Sequence, residues 1–308
     1  MRVFITGGTG LVGQRLIRRL HERGDGAVIL TRRFGHARQL FGVDAQLVEG
    51  DPMRSGDWMD AVGDCDAVVH LAGENVFGRR WSTEYKKHLY DSRILSTQNI
   101  VEALRRKPVR ADGGAKALVN ASAIGYYGAH GDEELTEDSP PASDFLAKLC
   151  IDWENAARAA ESFGIRAAMV RIGVVLDKEG GALAKLLTPF KLGGGGPVAS
   201  GRQWMSWIHH ADLVELFLLA LENAGACGAI NGTAPNPVTN RDFGKILGRV
   251  LHRPSFVWTP ALALRVLVGE AATLIVTGQR VIPKRAMGLG YSFQYPTLEA
   301  ALKQILAR

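Results

Sequence analysis

Cysteine is scarce in this chain of 308 residues, and the three cysteines lie far apart. Cys65, Cys150 and Cys227 show none of the paired spacings that build zinc sites or disulfide frameworks. Such scarcity is typical of a reducing compartment. The first residues also lack the charged region, long apolar run and cleavage site of a signal peptide. We therefore expect a cytoplasmic protein without a metal site.

Long apolar runs and basic-aromatic stretches are missing as well. The most apolar late segment, residues 261–277, is interrupted by Arg265 and Glu270, which predicts a buried helix and not a membrane span. The net charge of +6 comes from lysines and arginines spread along the chain. Basic and aromatic residues are not interleaved in the pattern that indicates nucleic-acid binding. We expect neither a membrane nor a nucleic acid as partner, with some bias toward an anionic small molecule.

The start of the chain, MRVFITGGTGLVG, carries the most informative motif. Residues 2–6 form a short apolar strand in this interpretation, and the glycine-rich turn after them opens an amphipathic helix. One glycine permits the tight turn, the next lets the backbone approach a pyrophosphate, and the third packs the helix on the strand. The anion then binds at the helix N-terminus. The residues predicted to hold a dinucleotide here are Gly7, Thr9, Gly10, Leu11, Val12 and Gly13.

Apolar strands alternate with helical patterns through the first half of the chain, which predicts an α/β fold with a doubly wound parallel sheet of the Rossmann type. The predicted strands are Val3–Thr6, Val28–Thr31, Gln46–Glu49, Ala67–Leu71, Ala117–Ser122 and Arg166–Ile172. The long predicted helices are Leu11–Arg23, Thr83–Arg106 and Asp144–Phe163. Residues 1–235 are assigned to the nucleotide-binding domain, with 176–205 contributing to the substrate side. Residues 236–308 are assigned to a smaller, mostly helical C-terminal lobe that closes over the substrate.

The end of the second predicted strand lacks an acidic residue. An NAD site usually places Asp or Glu there, about 20 residues past the glycines, to bind the ribose 2′-hydroxyl. Here the sequence reads Leu30-Thr31-Arg32-Arg33, which offers a hydroxyl and two guanidiniums. Because arginine suits bidentate phosphate binding, we predict NADP(H) as the cofactor, with Thr31 and Arg32 at its 2′-phosphate. The alternative is that these arginines only solvate a loop.

Several further motifs resemble the extended short-chain dehydrogenase/reductase superfamily. The segment His70-Leu71-Ala72-Gly73 resembles the fourth-strand motif beside the cofactor, and Asp51 resembles the residue that meets the adenine. Glu74 follows directly and could meet the ribose or the substrate. The SAIGYYG segment, residues 122–128, resembles the fifth-strand serine region, and residues 207–213 are similar to a substrate-facing segment of sugar-nucleotide epimerases.

A narrower resemblance is to an atypical branch of epimerase-family proteins with a C-terminal domain of unknown function. It is carried by HLAGEN, FLAKLCIDWE, SGRQWMSWIH and GQRVIPKR and covers nearly the whole chain. For this branch the resemblance implies NADP(H) bound at Thr31, Arg32, Leu71, Ala72, Arg93 and Val175. The superfamily also implies a possible homodimer through the helices at 83–106 and 144–163.

The Tyr-x-x-x-Lys pair that performs proton transfer in this superfamily is missing. No tyrosine of the sequence is followed by lysine four residues later. Aligning the helix on Trp153-Glu154 puts Leu146 and Cys150 at the two positions. The remaining catalytic candidates are Ser122, Tyr126, Tyr127 and His209, each with a packing role as the alternative.

Two functional interpretations stay open at this point. The first is an NADP(H)-dependent oxidoreductase that acts on an unidentified small molecule, in which Arg202, Trp204 or Trp207 faces the substrate. The second is an NADP(H)-binding sensor or interaction protein with little or no catalysis. Plant and cyanobacterial members of the branch are associated with organelle or cell division, which agrees with the second interpretation.

Overall fold

A computed structural model describes residues 1–42, 45–114 and 116–307 of the chain. The strands are β1 (Arg2–Thr6), β2 (Gly26–Thr31), β3 (Gln46–Glu49), β4 (Ala67–His70), β5 (Ala117–Ala123), β6 (Glu134–Leu135), β7 (Arg166–Ile172), β8 (Val174–Leu176), β9 (Trp204–Met205), β10 (Trp207–His209), β11 (Gly228–Gly232), β12 (Val238–Thr239) and β13 (Arg280–Val281).

The helices follow the same chain order. They are α1 (Leu11–Glu22), α2 (Phe34–Phe41), α3 (Trp58–Gly63), α4 (Thr83–Arg106), α5 (Phe145–Arg158), α6 (Gly181–Lys191), α7 (His210–Glu222), α8 (Asn240–Leu251), α9 (Ala261–Val268), α10 (Thr273–Val276), α11 (Lys284–Gly288) and α12 (Leu298–Leu306). Short 3₁₀ turns cover Ile124–Tyr127, Ala159–Phe163 and Gly269–Ala272.

A seven-stranded parallel sheet forms the centre of the molecule, in the order β11-β7-β5-β4-β1-β2-β3. The strand order turns back between β1 and β4, and ligands of such folds bind beside the carboxyl ends of the strands at this point. The predicted doubly wound sheet is therefore confirmed. Strand β11 was missed by the sequence analysis.

Both faces of the sheet are covered, which explains why most positions of its central strands are apolar. In β1, Val3 and Ile5 pack on the side of α1 and α7, while Phe4 packs on the side of α3 and α4. Side chains alternate between the faces of a strand, so a strand that is covered on both faces needs no polar positions. The sheet is thereby a rigid base for the loops at its carboxyl edge.

The C-terminal part packs on the nucleotide-binding part at several places. Helices α6, α8 and α12 enclose a second apolar cluster around Leu176 and Trp207. Strand β13 pairs in parallel with β6, so that Arg280 lies opposite Glu134. Strand β12 pairs with β9, which brings Val238 beside Met205. Two strands of residues 236–308, β12 and β13, thus pair with strands of the first 235 residues.

The prediction of one buried helix over residues 261–277 is wrong. The segment folds as α9, a 3₁₀ turn and the four-residue α10, and α9 has no fully buried side chain. Gly269 ends α9 with a φ of +67°, a left-handed conformation that interrupts a helix. The apolar composition of this segment therefore does not reflect burial in the core.

Candidate functional site

The turn between β1 and α1 has a geometry that only glycine satisfies at two positions. Gly7 has a φ of +69°, and a Cβ there would lie 2.7 Å from the carbonyl of Leu71 and 2.8 Å from the nitrogen of Ala72. A Cβ on Gly13 would lie 2.5 Å from the Gly7 oxygen. Helix α1 starts after Gly10 without a side-chain cap or an acidic residue in its first turn. Its first N–H groups are therefore oriented for an anion.

A cleft of about 240 Å³ lies between this turn and the ends of β2, β3 and β4. Its place at the sheet's carboxyl edge, where the strand order turns back, is where folds of this kind bind nucleotides. Predicted cofactor residues that line it are Gly7, Thr9, Gly10, Thr31, Arg32, Asp51, Leu71, Ala72, Gly73 and Glu74. Residues that line it without having been predicted are Leu30, Arg33, Pro52, Met53, His88 and Ser92.

The cleft wall at the end of β2 is cationic. Arg32 and Arg33 are exposed there, and neither guanidinium forms an ion pair within the described part of the chain. The buried Thr31 hydroxyl accepts a hydrogen bond from the Arg33 nitrogen at 3.1 Å, which fixes the turn. Across the cleft, Asp51 accepts from the Met53 nitrogen at 3.0 Å. The residues present fit a dinucleotide with a further phosphate on its adenosine ribose.

A buried polar chain holds the cleft wall that follows β4. The Ala72 nitrogen donates to the Thr6 hydroxyl at 3.2 Å, and that hydroxyl lies 2.6 Å from His70 Nδ1. His70 Nε2 lies 3.0 Å from the Ser96 hydroxyl on α4. Burial lowers the pKa of His70 to about 3, so the ring is neutral at physiological pH. This positioning role of His70 is not apparent from the HLAG motif alone.

Glu74 lies among polar side chains of α4. Its carboxylate is 3.3 Å from His88 Nε2 and 3.5 Å from the Tyr85 hydroxyl, and its backbone nitrogen donates to the Ser92 hydroxyl at 3.1 Å. His88 and Ser92 are four residues apart and therefore share one face of the helix. That spacing is the signal by which the sequence could have placed both residues at the site.

Arg93 reaches the same wall from α4, and none of the described carboxylates forms a salt bridge with it. Its Nη atoms donate to the carbonyls of Leu89 at 3.1 Å and Glu74 at 3.0 Å. A Cβ on Gly73 would lie 3.2 Å from the guanidinium carbon, so glycine leaves the space that Arg93 fills. Burial lowers the pKa of Arg93. The guanidinium also lies 5.1 Å from the centre of the Trp153 ring. A desolvated guanidinium with no carboxylate within salt-bridge distance among the described residues can bind an anion beside the cleft.

Three other predicted cofactor residues lie next to the cleft and not in its lining. Leu11 packs on the start of α6, 3.1 Å from where a Cβ on Gly180 would be. Val12 and Val175 pack on the main apolar cluster, and Val175 pairs with Ile208 between β8 and β10. These contacts alone give each side chain a packing role.

Leu146 and Cys150 lie together at the turn that follows β5. A Cβ on Gly125 would be 3.4 Å from the Leu146 Cβ and 3.9 Å from the Cys150 sulfur. Cys150 is buried, with its sulfur 3.6 Å from the Ala123 carbonyl, and burial raises the pKa of its thiol to about 12. The thiolate required for nucleophilic chemistry is therefore not formed at neutral pH.

The Ser122 hydroxyl makes an internal hydrogen bond. It is buried and donates to Glu154 Oε1 at 2.7 Å. Glu154 also accepts two hydrogen bonds from Arg171, each at 2.8 Å, in a buried bidentate pair. Burial alone would lower the pKa of Arg171, but the hydrogen bonds and charge of Glu154 outweigh it and raise that pKa. The proton of Ser122 is thus held by a structural carboxylate.

The two candidate tyrosines differ in access. Tyr127 is fully buried, donates to Asn231 at 2.7 Å and accepts from Arg171 at 2.9 Å. Burial raises the pKa of Tyr127 to about 12. Tyr126 is half-buried, and the Arg171 guanidinium lies 3.5 Å from the centre of its ring. Of the two phenols, that of Tyr126 is the one with solvent access.

His209 is a buried helix cap. Its Nδ1 accepts from the Ala211 nitrogen at 3.0 Å, and its Nε2 lies 2.8 Å from the Gln304 oxygen. The ring stacks on Tyr295 at 3.9 Å, and burial lowers the pKa of His209 to about 4. Both ring nitrogens are used within the protein, so neither is free to transfer a proton to a substrate.

The aromatic residues on the expected substrate side also separate into two roles. Trp207 is fully buried and donates to the Asn236 carbonyl at 3.0 Å, which makes it a packing residue. Trp204 is half-buried and donates to Asp132 at 2.8 Å, with the Arg280 guanidinium 4.8 Å from its ring. Arg202 is exposed.

Two protein-family models match the chain. The NAD dependent epimerase/dehydratase family matches residues 3–231, and a domain of unknown function, DUF1731, matches residues 259–305. The Arabidopsis thaliana protein named "Epimerase family protein SDR39U1 homolog, chloroplastic" is 42% identical over 99% of this chain and 87% of its own length. Epimerase family protein YfhF of Bacillus subtilis is 38% identical over 100% of this chain and 98% of its own.

A solved structure of a human relative is similar over its whole length. Human epimerase family protein SDR39U1 (isoform 2), crystallised with NADPH, is 35% identical, with a TM-score of 0.86 over 99% of both chains. The NADPH in that structure agrees with the cofactor predicted here from the sequence. A UDP-galactose 4-epimerase at 23% identity and a TM-score of 0.75 shares the fold alone. The chain belongs to the NAD dependent epimerase/dehydratase family, among the epimerase family proteins that carry a DUF1731 domain.

Proposed function

We propose that this protein is an NADP(H)-dependent oxidoreductase that acts on a small carbonyl or hydroxyl compound. The observation that carries the proposal is the cationic end of the cleft. Arg32 and Arg33 lie beside the buried Thr31 hydroxyl, with no acidic residue at the end of β2. An acidic residue there would bind a free ribose hydroxyl, whereas guanidiniums bind a phosphate.

The two ends of the cleft hold different parts of this cofactor. The N-terminus of α1 and the backbone of Gly7 and Gly10 bind the pyrophosphate, and Arg32 binds the 2′-phosphate. Bound NADP(H) supplies or accepts a hydride at the nicotinamide C4. Arg93, which lies next to Gly73, adds positive charge at the wall that follows β4.

Tyr126 is our candidate for the proton donor. Its phenol is accessible, and the Arg171 guanidinium 3.5 Å from the ring centre fixes the ring orientation. In the reducing direction Tyr126 gives its proton to the substrate oxygen while the substrate carbon is reduced, and solvent returns the proton. Ser122 and Tyr127 support this arrangement indirectly, because both are hydrogen-bonded to the Glu154–Arg171 pair that holds Tyr126.

A second function is favoured by a specific observation. The positions of the usual tyrosine and lysine hold Leu146 and the buried Cys150, and the Ser122 hydroxyl is engaged by Glu154. A cofactor site with these substitutions suits an NADP(H) sensor whose partner recognises the bound state. Such a protein requires cofactor binding and no turnover.

Transfer of label separates the two functions. The protein is incubated with NADPH that carries deuterium at C4 and with a panel of aldehydes and ketones, and the products are analysed by mass spectrometry. An oxidoreductase transfers deuterium, and Tyr126→Phe lowers the rate by about 100-fold, the scale of general acid catalysis, with unchanged NADPH affinity. Tyr90→Phe is the matched control and should keep the rate. The Tyr90 hydroxyl, on α4, donates a hydrogen bond to Asp152 on α5.

No transfer to any compound, with NADPH still tightly bound, would favour the sensor. Transfer that Tyr126→Phe leaves unchanged would retain the oxidoreductase and remove Tyr126 as its proton donor.

A further inference from the structure

The C-terminal part of the molecule carries a concentration of exposed apolar side chains. We define the apolar face as Leu192, Phe256, Trp258, Leu262, Val266 and Leu267, whose exposed fractions run from 59% to 82%. Exposed apolar groups of this size, gathered in one place, mark an interaction surface in a soluble fold. Such a surface explains why α9 is apolar although it is not buried in the core.

Hydrogen bonds bring the two segments that carry the apolar face together. The Val257 nitrogen donates to the Gly195 carbonyl at 3.0 Å, and the Thr259 nitrogen donates to Pro197 at the same distance. The Trp258 indole nitrogen donates to the Ala199 carbonyl at 2.6 Å. The segment after Leu192 and the segment around Trp258 therefore run side by side, and α9 begins at Ala261, three residues after Trp258.

The two segments that supply the apolar face contain no acidic residue. No Asp or Glu occurs between Glu179 and Asp212, or between Asp242 and Glu270. These two segments supply the whole apolar face. Their exposed cations include Lys191 and Arg253 beside Leu192 and Phe256, and Arg265 on α9 itself. The surface thus combines aromatic, aliphatic and basic side chains, the composition of protein segments that lie in the interface of anionic membranes.

A second copy of the chain is a poor match for this surface. A symmetric dimer places the same patch of both subunits against each other. Such an interface would gather Lys191, Arg253 and Arg265 of both copies, and neither segment supplies a carboxylate to pair with them. The apolar side chains also protrude from the surface, as their exposure shows. Protruding side chains between cations suit the headgroup region of a bilayer.

We propose that the apolar face binds the surface of an anionic phospholipid bilayer, with the aromatic and aliphatic side chains among the acyl chain ends and Lys191, Arg253 and Arg265 at the lipid phosphates. The binding is peripheral: in the described ranges, no helix has the length and apolarity to cross a membrane. This differs from the sequence-based expectation that no membrane is a partner. The proposal does not depend on the proposed function, because it uses none of the cofactor or proton-donor residues.

Sedimentation with vesicles tests the proposal on the full chain. Vesicles of phosphatidylcholine with phosphatidylglycerol should bind the protein at least about tenfold more strongly than vesicles of phosphatidylcholine alone, and 0.5 M salt should remove most of the difference. Leu262→Ser/Val266→Ser/Leu267→Ser and, separately, Lys191→Gln/Arg265→Gln should each weaken binding by about tenfold or more. NADPH affinity should not change, which also shows that the variants are folded.

Matched variants use residues of the same kind elsewhere on the surface. Leu40→Ser/Leu95→Ser/Val109→Ser replaces three other exposed apolar side chains, and Lys148→Gln removes an exposed cation of α5. Both should bind vesicles like the unchanged protein. Equal binding to both vesicle compositions, or equal losses in the control and test variants, would overturn the proposal. Self-association in sedimentation velocity that the triple serine variant abolishes, without vesicle binding, would assign the face to a second copy.

Discussion

Arg32 shows how much one residue decides at the cofactor site. The turn that follows β2 has the same position in NAD and NADP enzymes, and the charge of its side chains selects between a free and a phosphorylated ribose. In this chain the position combines two exposed guanidiniums with the Thr31 hydroxyl. An exposed arginine side chain can adopt many rotamers. It therefore contributes to the affinity only for a cofactor whose 2′-phosphate it can bind.

Replacement of Arg32 by alanine should therefore affect one cofactor and not the other. A hydrogen bond to a charged group contributes about 1.5–3 kcal/mol, so the Kd for NADPH should rise about 10- to 100-fold. The Kd for NADH, which has no 2′-phosphate, should change by less than about twofold. Fluorescence titration with each cofactor measures both constants.

Arg38→Ala is the control, because Arg38 lies on α2, packs over Phe34 and donates to the Gly42 carbonyl. It should leave both affinities unchanged. If Arg32→Ala weakens NADPH and NADH equally, the 2′-phosphate assignment fails.

Gly7 and Gly24 allow the steric and conformational effects of a glycine to be separated. Both have φ near +70°, but a Cβ on Gly7 meets the Leu71 carbonyl at 2.7 Å, and a Cβ on Gly24 meets nothing within 4 Å. Gly24→Ala should lower the free energy of unfolding by about 1 kcal/mol, and Gly7→Ala by about 3 kcal/mol because overpacking adds to the strain. Urea denaturation measures both. Equal losses of unfolding free energy would mean that the Leu71 backbone moves away from the added Cβ without destabilising the fold.

The site shows which residue roles a sequence can indicate. The glycines, Arg32 and the Leu71–Glu74 wall were predictable, because each belongs to a local motif whose spacing has a chemical reason. The partners of Ser122, Tyr127 and His209 come from Glu154, Asn231 and Gln304, far away in sequence. The identity of a serine, tyrosine or histidine does not tell whether its side chain faces a ligand or a buried partner. The sequence therefore leaves these roles open.

At the scale of elements, periodicity predicted most of the central sheet and the long helices. Strand β11 was missed because GAING has two glycines and a polar residue, and it is stabilised by pairing with β7 along Gly228–Gly232. The segment 261–277 was assigned to a core helix because its apolar residues suggest burial. Its face points outward instead, and composition alone cannot distinguish a core from an interaction surface.

The pair Glu154–Arg171 joins three elements, since Glu154 lies on α5, Arg171 on β7 and their partner Ser122 on β5. Glu154→Gln leaves the buried guanidinium without its counter-charge and should cost about 3 kcal/mol of unfolding free energy. Ser122→Ala removes one hydrogen bond and should cost about 1 kcal/mol. Thermal and urea unfolding of the variants measure these losses.

Glu102→Gln, which removes an exposed partner of Arg105 on α4, should leave stability unchanged because solvent screens that pair. A loss for Glu154→Gln no larger than that for Ser122→Ala would show that the pair does not hold the three elements together.

At the scale of the whole molecule, the C-terminal part is tied to the nucleotide-binding part by polar contacts of residues 280–285. Arg285 donates from its backbone to Glu137 and from its side chain to the carbonyls of Cys227 and Ala229. Glu137 also accepts from the Asn231 nitrogen at 2.9 Å, and Asn231 binds the Tyr127 hydroxyl. The same network thus reaches from the DUF1731 segment to the residues beside Tyr126, so unfolding of one part should affect the other.

Acid stability tests this coupling, because one buried neutral histidine lies inside the nucleotide-binding part and another lies at its contact with α12. His70 is in the wall of the cofactor cleft, and His209 is bonded to Gln304 of α12. Burial lowers the pKa of His70 to about 3 and that of His209 to about 4, from 6.5 in the unfolded chain. Below pH 6.5 the two histidines bind protons in the unfolded state and not in the folded state. The free energy of unfolding therefore falls as the pH falls toward 4.

Each histidine should contribute a loss of roughly 1.4 kcal/mol per pH unit in this window. We therefore expect the free energy of unfolding in urea to drop steeply from pH 6.5 to pH 5. His70→Asn and His209→Asn should be less stable at pH 7 but should each flatten that slope, whereas the exposed His36→Asn should not. In a coupled molecule the transition stays single at every pH. Two separate transitions in acid would show that the two parts unfold independently. An unchanged slope in both variants would show that the histidines already titrate in the folded state.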